Sequence, residues 1–214
     1  MSTRELGGLL LTGGASTRMG RDKAAIEIDG VKLAERTASL LSAVTTLALE
    51  VGPGVSTLPS VQEDPPGQGP LAAILVGHKS LVRRGLSPSA PCLVVSCDLP
   101  LLSVSVLRRL ADAAGDRSVL PVIDGTAQPL CARWSARDLA ASDTAFATGE
   151  RSLRRLPERG TALLLEESLW GIDASKLRDA DTPEDLASMG ITLGAVPGPR
   201  PAEPDERPAP RGRR

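Results

Sequence analysis

The sequence predicts an α/β domain built on a mostly parallel sheet, with helices on both faces and an antiparallel member. Three observations carry this reading. Short apolar runs alternate with segments of helical spacing, several of the runs lack any polar face, and an Asp124-Gly125 pair joins two further runs. Strands that are apolar on both faces belong to parallel sheets covered by helices on each side. Asp-Gly between such runs is a strong hairpin signal. The arrangement is Rossmann-like and three-layered, so ligands should bind beyond the carboxyl ends of the strands.

The elements follow in order. Leu6 to Thr12 is a short apolar run with the look of a buried strand. From Val31 to Val44, Leu33, Thr37, Leu40, Leu41 and Val44 recur at helical spacing. Thr46 to Val51 is a second strand, stopped by Gly52-Pro53-Gly54, and Leu71 to Val82 is helical. Cys92 to Cys97 is another buried strand. Leu102 to Ala114 is a helix ending at Gly115, a usual C-terminal stop. Val119 to Ile123 and Thr126 to Trp134 form the hairpin around Asp124-Gly125. Ala136 to Ala147 and Ser152 to Leu156 are helical, Leu163 to Leu165 is a strand, and Pro183 to Met189 is a last short helix. The segment from Pro197 to Arg214 holds six prolines and five Arg against three acids. It has too little apolar surface to offset the entropy of ordering it. We therefore expect one domain over residues 1–194 and a disordered Pro/Arg-rich tail over 195–214.

Composition narrows the function classes. The 214 residues include 25 Lys plus Arg against 26 Asp plus Glu, and the net charge of -1 offers no footprint for nucleic acid or a polybasic membrane surface. With no Tyr, one Phe and two Trp, an aromatic platform for stacking bases is not expected. No apolar run approaches the ~20 residues that cross a bilayer. The stretch after Met1-Ser2-Thr3-Arg4-Glu5 is too short and too rich in glycine for a signal peptide. Cys92, Cys97 and Cys131 are an odd number without CxxC spacing, against a disulfide framework or a zinc knuckle. The expectation is a cytoplasmic protein that engages neither nucleic acid nor membrane.

The chemistry lies at the strand ends. After the first strand comes Leu11-Thr12-Gly13-Gly14-Ala15-Ser16-Thr17-Arg18-Met19-Gly20-Arg21-Asp22-Lys23. Adjacent glycines let the backbone approach a ligand and present N–H groups as an anion nest. Ser16 and Thr17 add hydroxyls, while Arg18 and Lys23 supply cations for phosphate oxygens. The loop is neither a P-loop nor a dinucleotide loop, because Lys23 follows Asp22 rather than Gly and no GxGxxG occurs. Asp98, closing the Cys92–Cys97 strand, is poised for a divalent cation. Its other reading is an N-cap before Leu102, although a cap falls more naturally at Ser103. Asp64, before Pro65-Pro66, reads as a ligand contact or as a turn residue. His78, between Gly77 and Lys79, reads as a surface residue, and Cys97 as a small packing residue.

The stretch GGASTRMGRDKA resembles the signature loop of the molybdenum cofactor guanylyltransferases, within the wider class of sugar- and cofactor-nucleotidyltransferases. Glu63-Asp64 with Gly69-Pro70-Leu71-Ala72, then Ser96-Cys97-Asp98-Leu99-Pro100, then Asp181-Thr182-Pro183-Glu184-Asp185-Leu186, are similar to three further segments in that family's order. The resemblance covers about residues 6–190. It implies a nucleotidyltransferase fold and transfer of GMP from GTP to molybdopterin carrying molybdenum, with Mg2+ as cofactor. Transient contact with molybdoenzymes or cofactor-delivery proteins is implied too. The resemblance places Leu11, Thr12, Gly13, Gly14, Ser16, Lys23, Asp64, Gly69 and Asp98 around the nucleotide. It makes Lys23, Arg18 and Asp98 catalytic, puts Asp98 on the metal, and puts Gln128, Arg151 and Asp181 on the acceptor side. Gly13-Gly14 is similar to the guanylyl enzymes, whereas related cytidylyl enzymes usually show Ala-Gly there.

The chain departs from this family at asparagine, of which it has none. The family commonly places Asn near the end of its second strand, where this chain reads Leu49-Glu50-Val51-Gly52. It also commonly reads Asn-x-Asn-Thr-Pro-Glu where this chain has Asp179-Ala180-Asp181-Thr182-Pro183-Glu184. An ionised Asp cannot donate the hydrogen bond that Asn does, and it repels a phosphate. Asp181 is thus a second metal-side carboxylate, the mark of a different acceptor, or a helix cap shared with Thr182 before Pro183. Two other functions stay open: a related transferase using CTP or another phosphorylated acceptor, and a non-catalytic nucleotide-binding accessory protein. Retention of Arg18, Lys23, Asp64 and Asp98 together argues against the second.

Overall fold

Gly7–Leu11 form β1, buried along its whole length because it lies at the middle of the sheet. It pairs in parallel with β4 (Leu47–Val51) on one side and β6 (Cys92–Ser96) on the other, Leu11 standing level with both Val51 and Ser96. The short β5 (Ser60–Val61) continues in parallel beyond β4. On the far side of β6 the order runs β9 (Cys131–Trp134), β7 (Val119–Ile123) and β10 (Leu163–Glu166), with β8 (Thr126–Ala127) paired to β7. β9 is antiparallel to both its neighbours, and β10 is parallel to β7. These elements come from a computed structural model that describes residues 5–13, 26–153, 162–166, 171 and 173–191.

Helices α1 (Leu33–Ser42), α2 (Pro70–Arg83), α3 (Val104–Asp112), α4 (Ala136–Ala147) and α5 (Pro183–Ser188) complete the described framework. Side chains alternate across a strand, and β1 shows the consequence. Leu9 and Leu11 pack with Leu49, Val51, Ile74 of α2 and Leu139 of α4. Leu10 packs the other way, with Leu93, Val95, Leu41 of α1 and Leu107 of α3. Two helices therefore cover each face, which is the expected three-layer arrangement. α2 lies so close that a Cβ on Gly77 would stand 2.7 Å from Val51 and 2.8 Å from Leu9. No helix among the described residues is long and apolar enough to cross a membrane.

Three local readings are corrected. Val31 and Lys32 belong to no helix; they form β3, paired with β2 (Glu27–Ile28) across Asp29-Gly30, whose φ values are 54° and 75°. The predicted strand from Thr126 to Trp134 is broken into β8 and β9 by Gln128-Pro129-Leu130. Pro129 has no N–H to give the ladder, and the Trp134 indole N–H donates to its carbonyl at 3.0 Å. Asp124-Gly125 forms the predicted hairpin turn, with φ values of 48° and 72°. His78 is half-buried rather than at the surface, and its Nε2 has no hydrogen-bond partner among the described residues. Most of the helix predicted from Ser152 to Leu156, and the tail over 195–214, lie outside the described residues.

Candidate active site

The strands β1, β4, β5 and β6 run in one direction, and β7 shares it through its two antiparallel steps across β9. Their carboxyl ends form a common edge. Thr12 and Gly13 leave that edge from β1, and Asp98 leaves it from β6 next door. The Cys97 N–H donates to the Leu11 carbonyl at 3.2 Å, so the chain carrying Asp98 departs beside the start of the glycine loop. Thr12 is buried while Gly13 is exposed, which turns the first glycine toward any ligand over the edge.

A distant segment completes the cluster at Asp98. The N–H of Ala180 donates to the Asp98 carbonyl at 2.9 Å. Ala180 itself is buried with Ile26, Ile28, Leu33 and Leu186. In extended chain, residues on either side of a buried position share the opposite face, so Asp179 and Asp181 are presented together. One carboxylate oxygen from each of Asp98, Asp179 and Asp181 lies within 4.8 Å of the others. Capping does not account for these carboxylates. α3 starts at Val104 after Ser103, away from Asp98. At α5 the cap is Thr182, whose hydroxyl accepts from the Asp185 N–H at 3.1 Å, while the Asp185 carboxylate accepts from the N–H groups of Thr182 at 2.7 Å and Asp181 at 2.9 Å. This capping box leaves the Asp181 carboxylate to the cluster.

The remaining expected residues fall in several places. Asp64 is exposed and Gly69 half-buried in the loop from β5 to α2, on the same edge. Gly69 has φ 94°, a backbone that glycine adopts without strain, immediately before Pro70 starts the helix. Gln128 lies in the break between β8 and β9; its N–H donates to Pro121 O at 2.8 Å. That break reaches the edge, since Ser96 N–H donates to Leu130 O at 2.8 Å. Arg151 follows α4 with its guanidinium 3.8 Å over the Phe146 ring, donating to the Phe146 carbonyl at 2.7 Å. Gly14, Ser16, Arg18 and Lys23 lie outside the described residues.

Sequence reasoning assigned no role to Asp179 or Glu50. For Asp179 the signal was available: acids at alternate positions around an alanine. Glu50 is fully buried in β4, where a run of leucine and valine gave no reason to expect a working carboxylate. Cys92 and Cys131 offer no thiolate chemistry. Burial pushes the Cys92 and Cys131 thiols up to about 12, with the Asp98 charge adding to the effect at Cys131.

The family model for the MobA-like NTP transferase domain matches residues 8–163, most of the chain. The chain belongs to that family. A molybdenum cofactor guanylyltransferase of Rhodobacter capsulatus is 30% identical over 193 residues, covering 85% of this chain and 93% of its own. Among solved structures, molybdopterin-guanine dinucleotide biosynthesis protein A of Archaeoglobus fulgidus shares the fold with a TM-score of 0.68 at 22% identity, covering 85% and 95% of the two chains. A 4-diphosphocytidyl-2C-methyl-D-erythritol synthase of Anaerococcus prevotii shares it with a TM-score of 0.62 at 14% identity, covering 87% and 94%. At Gly52 a Cβ would stand 2.1 Å from the Thr12 hydroxyl and 2.9 Å from the Gly13 nitrogen. No side chain fits there in this MobA-like domain.

Proposed function

We propose that this chain transfers GMP from GTP to molybdopterin carrying molybdenum, forming the guanine dinucleotide cofactor and pyrophosphate. The observation that carries the reading is the convergence of Asp98, Asp179 and Asp181 at the edge where Thr12-Gly13 begins the glycine loop. A phosphate oxygen of the acceptor attacks the α-phosphorus of GTP. The bond from that phosphorus to the oxygen bridging to the β-phosphate breaks, and pyrophosphate leaves with the electron pair. Both reactants are anionic, so the site must neutralise charge and hold them in line. No general base is needed, because the acceptor phosphate is already ionised at neutral pH.

The carboxylates suit a hard divalent cation. Three carboxylate oxygens within 4.8 Å of one another are the hard oxygen ligands that such a cation takes. When bound, Mg2+ supplies positive charge that screens the phosphates from one another. Asp98, with Asp179 and Asp181, would hold it. Gly13 and Gly14 cradle phosphate oxygens with their N–H groups, Ser16 adds a hydroxyl, and Arg18 and Lys23 balance charge on the phosphates. Asp64 accepts hydrogen bonds from the N1–H and 2-amino group of guanine, which cytosine lacks, and Leu11, Thr12 and Gly69 shape the pocket wall. Gln128 and Arg151 would serve the acceptor side, and Asp181 would serve the metal or the acceptor.

Incubating the protein with Mg2+, molybdopterin carrying molybdenum, and either GTP or CTP tests the reading by pyrophosphate release. Release with GTP and little with CTP is expected. Equal release with CTP would overturn the guanine assignment, and none with either nucleotide would overturn the reaction.

A further inference from the structure

We propose that Glu50 is a positioning residue for the nucleotide, setting the glycine loop through Thr12 and through the turn that follows β4. The proposal rests on the reading that the loop after β1 holds the nucleotide. Glu50 is fully buried, yet its carboxylate is saturated with donors. Oε1 accepts from the Thr12 hydroxyl at 2.6 Å and from the N–H groups of Gly54 at 2.8 Å and Val55 at 2.9 Å. Oε2 accepts from the Ser56 N–H at 2.8 Å and the Ser56 hydroxyl at 2.7 Å. These bonds outweigh the effect of burial and hold the carboxyl below the usual glutamate range, so the group is ionised at neutral pH.

The consequence reaches the site through backbone contact. The turn after β4 lies flush against the glycine loop: an added Cβ on Gly52 would meet Thr12 Oγ1 and Gly13 N. Thr12 N–H also donates to the Val51 carbonyl at 3.1 Å. One carboxylate therefore fixes both walls of the seam from which the exposed Gly13 emerges. Where the resembled family commonly brings an Asn side chain toward the nucleotide, this chain organises backbone from beneath. A neutral carboxamide cannot replace it. The NH2 of Gln donates rather than accepts, and would face N–H and O–H donors.

The test compares the wild-type full chain with Glu50→Gln, Thr12→Val and the double variant, reading GTP binding by calorimetry and steady-state kinetics with Mg2+. Glu50→Gln should raise KM and Kd for GTP about tenfold, the scale of lost buried hydrogen bonds, while kcat changes far less. The double variant should bind no worse than the weaker single one, because both act through one contact. Mn2+ binding at the Asp98 cluster should be unaltered. If Glu50→Gln fails to fold, Ser56→Ala, which removes one donor, should raise KM in the same direction. GTP affinity unchanged in Glu50→Gln, or in Ser56→Ala where it is the variant used, would overturn the proposal. So would a loss of kcat and Mn2+ binding in step with KM. A wild-type chain that binds no nucleoside triphosphate would instead remove the reading beneath it.

Discussion

Glu50 and Asp98 are carboxylates at the ends of β4 and β6, the two strands that flank β1, and their surroundings put them to opposite uses. Glu50 spends its acceptor capacity on protein donors, whereas Asp98 joins two other carboxylates at the open edge. The difference has a pH signature. A group whose folded pKa is depressed contributes stability that is present above its unfolded value and is lost as pH falls through the folded one. For Glu50 that window begins near the ordinary glutamate value of 4.5 and extends downward. In urea unfolding at neutral pH, Glu50→Gln should be less stable than wild type by ~1–3 kcal/mol, the cost of buried donors left unmatched. The gap should narrow as pH falls below 4.5 and the wild type loses its contribution. A constant gap would contradict the ionised cage. Asp98 was legible from sequence because an acid immediately after a buried strand has few structural reasons to be there. Glu50 was not, since linear sequence does not reveal that five donors from two segments, Thr12 and the turn Gly54 to Ser56, converge on one side chain.

At the scale of elements, α5 shows how a short helix serves a site it does not enter. Its capping box uses Thr182 and Asp185, so the chain turns into the helix with Ala180 buried and the acids beside it facing Asp98. Thr182→Ala should cost ~1 kcal/mol in denaturant unfolding, the usual value of an N-cap. The same variant should weaken Mn2+ binding although residue 182 is no ligand. A stability loss with no change in metal affinity would show that the cap does not order the cluster. Pro183 and the acids after it made this helix readable, and burial made β1, β4 and β6 readable. The hairpin of β2 and β3 was hidden because Val31 continues a helical spacing, although Asp29-Gly30 carries the same turn chemistry as Asp124-Gly125. The break at Pro129 was likewise written in the sequence, in a residue that cannot donate to a ladder.

The whole molecule adds what no local pattern contains. Alternating runs imply three layers, but the central adjacency of β6, β1 and β4 depends on pairings between distant segments. That adjacency sets Asp98 beside the glycine loop, and the bond from Ala180 to Asp98 then brings the C-terminal acids to the same edge. The family model, which ends at residue 163, stops short of those acids, so their arrival is a property read from this chain. The most direct measurement of the central claim is a titration with Mn2+, followed by its electron paramagnetic resonance, on wild type and Asp98→Asn with a non-hydrolysable GTP analogue present. One tight site in the wild type, lost in Asp98→Asn and weakened in Asp179→Asn and Asp181→Asn, is the predicted result. Mn2+ held by Asp98→Asn as tightly as by the wild type would contradict it.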